Sequence, residues 1–259
     1  IGKKSLQDNL QARAKASVER TGKAIASGQV SGDDLAQALC LRSEAQAELG
    51  NAAESLKDAQ EAVRNAPSLG GAWLCQANAR WALGDFAAAT NDFGKALAFG
   101  VTANDVYYRR GQSRFFEGKL DQAADDFAKA VADRSDPVAK GYAQLWQAWT
   151  LQRLERPLPP EMIASAGADA TAAWPRPALA MFSGQATPEQ VIEQIGRKSG
   201  DERELALAEG WFYIGEYHLG AKRNDAAREA FEKSRAIGIT RYIEHIAAGF
   251  ELQRLGAKP

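Results

Sequence analysis

The sequence predicts an all-α fold built from antiparallel helical hairpins, and three observations carry that expectation. The phrase GDFAAATNDFGKAL at 84–97 returns as GKLDQAADDFAKAV at 118–131. Gly50, Gly84 and Gly118 recur at intervals of 34 residues. Around them, Trp73/Tyr107, Ala77/Gly111, Ala89/Ala123, Phe93/Phe127 and Ala96/Ala130 match in size class at the same offset. Self-similarity at a fixed period of this length marks stacked supersecondary units. Within each unit a small residue sits where two helices cross, a glycine relieves the turn, and the second helix carries small, large, small on one face.

The elements follow in chain order. Residues 5 to 27 are expected to form a helix that covers the first repeat. A weaker first unit runs from about Leu39 through Gly50, Ala59 and Ala62, and Pro67 marks where its second helix must stop. Two clear hairpins follow. Asp136-Pro137 then supplies an N-cap and a first-turn proline for a fourth first-helix, GYAQLWQAWTLQRL. No second helix follows it, because the prolines in ERPLPPE and WPRPAL forbid continuous helix there. Thr187-Pro188-Glu189-Gln190 reads as cap, first-turn proline and capping-box partner, starting a short helix with Val191, Ile192 and Ile195 inward. Trp211, Gly215, Ala227, Phe231 and Ser234 repeat the offsets of Trp73, Ala77, Ala89, Phe93 and Ala96. From Thr240 a capped helix with Ile243, Ile246, Ala247 and Phe250 on one stripe closes the last repeat.

These repeats resemble the tetratricopeptide (TPR) family, whose 34-residue unit has an aromatic near its start, small residues at helix crossings, an aromatic in its second helix and often a closing proline. The match covers about 38 to 133. It implies a right-handed superhelix, continuous through a cap and repeat array at 1–155, a proline-rich insert at 156–186, and a helix, hairpin and capping helix at 187–259. The insert is expected to be irregular or short-helical and to dock on the array. Residues 174 to 259, with a WP, an FSG turn, a short helix and a repeat opening Trp-Phe-Tyr-x-Gly, are similar to the bacterial NlpI-like periplasmic TPR proteins. In that family the protein is an outer-membrane lipoprotein adaptor that holds a protease and its substrates. The resemblance implies an envelope scaffold, periplasmic or associated with the outer membrane, with the cytoplasm as the other location. This sequence departs from the family in having no lipid-acceptor cysteine at its start.

Composition narrows the function classes. In 259 residues, 32 Lys plus Arg balance 33 Asp plus Glu, so no nucleic-acid footprint is expected. No apolar run is long enough to cross a bilayer. The chain begins at Ile1 rather than Met, which points to a preceding segment such as a signal peptide or lipid anchor. Two cysteines, Cys40 and Cys75, do not make a disulfide framework, and on successive first-helices they read as small buried thiols. His218 and His245 have no second ligand at helical spacing, and the pairs Asp33-Asp34 and Asp125-Asp126 read as solvated or helix-start charges. With no phosphate loop, nucleophile elbow or HExxH motif, neither an enzyme nor a metal or organic cofactor is expected.

Function is therefore expected in the concave face lined by the first helices. In TPR proteins that groove is faced by residues one, five and eight positions after the first-helix aromatic. Here these are Leu74, Asn78 and Trp81; Tyr108, Gln112 and Phe115; and Tyr142, Trp146 and Trp149. Arg109 and Asn78 are the only candidates for the charged clamp that grips a C-terminal carboxylate, so a chaperone-tail clamp is not expected. A protein or peptide partner is, with the sequence also allowing a homodimer. The alternative is a small-ligand or glycan module in which the same aromatics stack on sugar rings. Trp146 and Trp149 share a face that needs a cover: a partner, a second subunit or the proline-rich insert.

Overall fold

Gly50, Gly84 and Gly118 adopt φ of 81°, 80° and 80°, the left-handed region where a residue without Cβ is unstrained. Each ends one helix and turns the chain into the next, as the period predicts. The computed structural model describes residues 6–166, 173–240 and 242–256. These form fourteen helices: α1 (Leu6–Ala26), α2 (Gly32–Glu48), α3 (Ala52–Asn65), α4 (Gly70–Ala82), α5 (Phe86–Ala98), α6 (Ala103–Phe116), α7 (Leu120–Asp133), α8 (Pro137–Arg153), α9 (Pro160–Ala166), α10 (Arg176–Phe182), α11 (Pro188–Gly196), α12 (Gly200–Gly220), α13 (Asn224–Ala236) and α14 (Ile243–Arg254). No strand occurs among the described residues, so the fold class is all-α. Ser5 and positions 167–172 of the insert lie outside the described residues.

The chain falls into two compact units, Ile1–Gly118 and Lys119–Pro259. The division lies at Gly118, between α6 and α7. In the first unit α2 pairs with α3 and α4 with α5, while the first helices α2 and α4 also touch. The small and large positions of the repeat are the core: Ala77, Ala89, Phe93 and Ala96 are fully buried. α1 packs on α2, as expected of a cap.

A second repeating feature is polar. Asp58, Asp92 and Asp126 stand 34 apart on successive second-helices and all are buried. Asp58 takes a bidentate contact from Arg42 of α2, with Nε and Nη2 each 2.7 Å from a carboxylate oxygen. Asp92 accepts from Gln76 Nε2 at 2.7 Å and lies 2.9 Å from Arg80 Nη1. Burial pushes the Asp92 carboxyl up, while Gln76 and Arg80 pull it down. Asp126 corrects the reading of Asp125-Asp126 as solvated charges: Asp125 is exposed and Asp126 is inside. On α3 and α5 this carboxylate reaches back to the paired helix, so burial with a partner replaces solvation there.

In the second unit α12 pairs with α13, and α14 covers both. Gly215 lets α12 and α13 approach, because a Cβ there would stand 2.4 Å from the Phe231 ring. The caps follow the sequence: Asp136 accepts from Ala139 N at 2.7 Å, and Thr187 with Gln190 forms a reciprocal capping box. Between these elements the insert forms two short helices, and α10 packs on α8, α9, α11 and α12. The closing helix starts at Ile243 rather than just after Thr240, with Tyr242 as an N-cap that makes no side-chain capping bond.

Candidate functional site

The predicted groove residues divide by burial. In the first unit Leu74, Asn78, Tyr108 and Arg109 are half-buried, whereas Trp81, Gln112 and Phe115 are buried. Trp81 packs edge-on to Phe86 and Phe116, at 6.2 and 6.0 Å between ring centroids, so it serves the core rather than a free groove. In the second unit Tyr142 is half-buried and its hydroxyl donates to Glu209 Oε2 at 2.7 Å.

Trp146 and Trp149 are fully buried and present no surface to a partner. Their rings lie 4.4 Å apart, and α12 supplies most of the cover: Phe212 at 6.1 and 5.7 Å, and Tyr213 at 5.5 Å from Trp149. The insert contributes Phe182, 5.9 Å from Trp149. The expected partner role of these two tryptophans is thereby corrected. The cause is tertiary: an aromatic pair on α8 is worth more against the apolar face of α12 than against water.

What the first unit does expose is a recess of about 370 Å³ between α2 and the start of α4, lined by Gln37, Cys40, Leu41, Glu44, Leu69, Gly71 and Ala72. Cys40 and Glu44 lie one and five positions after Leu39, so they are the first-repeat equivalents of Leu74 and Asn78. Leu41 is 53% exposed beside them. Glu44 is accessible to solvent, yet the surrounding wall pushes its carboxyl up, with Glu48 adding to that and Arg109 of α6 opposing it. An accessible carboxylate that is nonetheless poorly solvated sits in a concavity. Subtracting 34 from Leu74 and Asn78 finds this wall in the sequence, although Leu39 stands where an aromatic marks the later repeats.

The two thiols also meet here. The Cys75 thiol is pushed up by its hydrogen-bonding contact with Cys40 and by burial, and Ser43 opposes that shift. Both cysteines are free.

The second unit holds a larger cavity, about 670 Å³, bounded by the end of α7, the first half of α8, α9 and Arg176. The histidines stand apart from it. His218 Nδ1 accepts from Arg223 Nε at 2.9 Å, and burial followed by Arg223 lowers its pKa. Burial and then Arg235 lower that of His245. Among the described residues no three His, Cys, Asp or Glu side chains gather as a metal site, and no helix is long and apolar enough to cross a membrane.

No protein-family model matches the chain, and no curated protein matches it in sequence. Solved structures do. A tetratricopeptide repeat protein from Parabacteroides merdae is 15% identical, with a TM-score of 0.54 over 96% of this chain and 98% of that one. The selenomethionine form of phAimR is 12% identical, with a TM-score of 0.59 over 97% and 68%. The APC/C hetero-tetramer Cut9–Hcn1 is 14% identical, with a TM-score of 0.51 over 96% of this chain and 46% of that one. At such identities the likeness concerns the fold, and the fold this chain shares is that of a tetratricopeptide repeat protein.

Proposed function

We propose that this protein is a non-enzymatic interaction scaffold that binds a peptide segment of a partner protein on the first-helix face of its first unit. The observation that carries the reading is the recess at Gln37, Cys40, Leu41 and Glu44, which combines an exposed leucine with an accessible carboxylate, Glu44, at a groove position of the repeat. Its chemistry suits a segment with one apolar side chain for Leu41 and one basic group for Glu44. Asn78, Tyr108 and Arg109 extend the same reading as half-buried groove positions. One structure of similar fold is itself a hetero-tetramer, which accords with a scaffold role.

The sugar-stacking alternative loses its platform, since Trp81, Phe115, Trp146 and Trp149 are buried. An envelope location rests on the resemblance of 174–259 to NlpI-like adaptors, and cell fractionation of the native protein tests it. Selection from a random peptide library tests the binding site. The expected winners pair an apolar residue with Lys or Arg, and bind at least 10-fold more weakly to Leu41→Glu and Glu44→Lys at unchanged Tm. Winners indifferent to both substitutions would place the function elsewhere.

A further inference from the structure

We propose that the cavity of the second unit binds a small monoanionic ligand: a carboxylate carried on an apolar body. The cavity measures about 670 Å³, within the range of small-molecule sites. Val131 and Met162 give it apolar wall, while Lys140 and Arg176 bring two cationic side chains to its rim. Neither cation makes an ion pair or a side-chain hydrogen bond among the described residues. Among the described lining residues these two cations face the carboxylate of Glu161, a balance that favours an anion of low charge.

The observation that points inward is Gln147. It is only 9% exposed, it lines the cavity, and its amide has no hydrogen-bond partner among the described residues. Its neighbour Gln144, one turn earlier on α8, is committed, donating Nε2 to Ser165 Oγ at 3.2 Å. The amide is not sealed from solvent, and a carboxylate seated in the cavity can accept from Gln147 Nε2. The rim cations supply the opposite charge and the apolar wall takes the body. A dianion such as phosphate gains nothing from Val131 and Met162 and meets Glu161.

Two sources share this chemistry, a free aliphatic acid and the C-terminus of a peptide. Calorimetric titration of the full chain separates them with octanoate for the first, N-acetyl-leucine for the second, N-acetyl-leucinamide as the uncharged match and inorganic phosphate as the bare anion. The expected result is saturable one-to-one binding of at least one carboxylate, at least 10-fold weaker binding of the amide and of phosphate, and at least a 10-fold loss in Lys140→Ala/Arg176→Ala. Gln147→Leu, close in size, keeps the fold by thermal melting and weakens the same ligand. No binding of either carboxylate at millimolar concentration overturns the proposal. So does amide or phosphate binding as tight as the acid, or a double variant that binds unchanged. Because the recess at Leu41 is not involved, Leu41→Glu leaves this binding intact whichever way the peptide-binding reading falls.

Discussion

Truncating Trp149 to alanine removes a buried ring in contact with Trp146, Phe182, Phe212 and Tyr213. Large aromatic-to-alanine changes in a core cost roughly 3–5 kcal/mol, so chemical denaturation should show a loss of that size for Trp146→Ala and for Trp149→Ala. A change below about 1 kcal/mol in both would mean the rings are not held as described. Nearby, Glu209 shows how burial sets a proton. Its Oε2 accepts from Tyr142 Oη and Trp174 Nε1, but burial first and the Glu244 carboxyl second raise its pKa from 4.5 to about 8. A raised acid holds its proton more tightly when folded. Its stabilising contribution is therefore complete below about 4.5 and is lost as pH climbs toward 8. Melting temperature should fall across that window for the native chain, and Glu209→Gln should flatten the fall. A profile unchanged by the substitution would assign the titration to another group.

The helices themselves were legible where local chemistry decides them. Asp136-Pro137 and Thr187-Pro188-Glu189-Gln190 start helices because a side-chain oxygen answers a free backbone N–H. The 34-residue period placed Ala89, Phe93 and Ala96 in the core because a hairpin has one buried face. What period alone does not carry is long-range cover. The register fixes which face of α8 holds Trp146 and Trp149, but Phe212 comes from a helix that begins at Gly200. The insert, expected to be irregular or short-helical, holds the seven-residue α9 and α10, since prolines exclude long helix without forbidding short ones. Among the described residues two turns depart from the glycine rule, at Glu155 after α8, with φ of 54°, and at Lys222 after α12. Lys222 occupies in the last repeat the place of Gly84, 138 residues earlier, and takes φ of 59°. A side chain in that region costs about 1 kcal/mol or somewhat more. Lys222 is exposed, and its ion pair with Glu155, 3.6 Å apart with both side chains solvated, returns little. Lys222→Gly should therefore stabilise the protein by up to about 1 kcal/mol, less the added freedom of glycine in the unfolded chain. A lower Tm would show that the ion pair outweighs the strain.

At the scale of the molecule, repeats bury their cores chiefly against adjacent hairpins, so damage should be local before it is global. Ala89 tests this because it is fully buried on α5, which pairs with α4. Ala89→Trp forces an indole into that core, and overpacking of this kind typically costs 1–3 kcal/mol. Each of the two compact units has a core of its own: Ala77, Phe93 and Ala96 in the first, and Trp146, Trp149, Phe212 and Phe231 in the second. Hydrogen exchange of the native chain and the variant should therefore separate them. Amides of α4 and α5 are expected to lose protection by about 5- to 150-fold, the equivalent of 1–3 kcal/mol of local stability. Amides of α12 and α13 should stay close to their native rates. Equal acceleration across all four helices would show that the chain opens as one cooperative body and that the two units share a single unfolding transition.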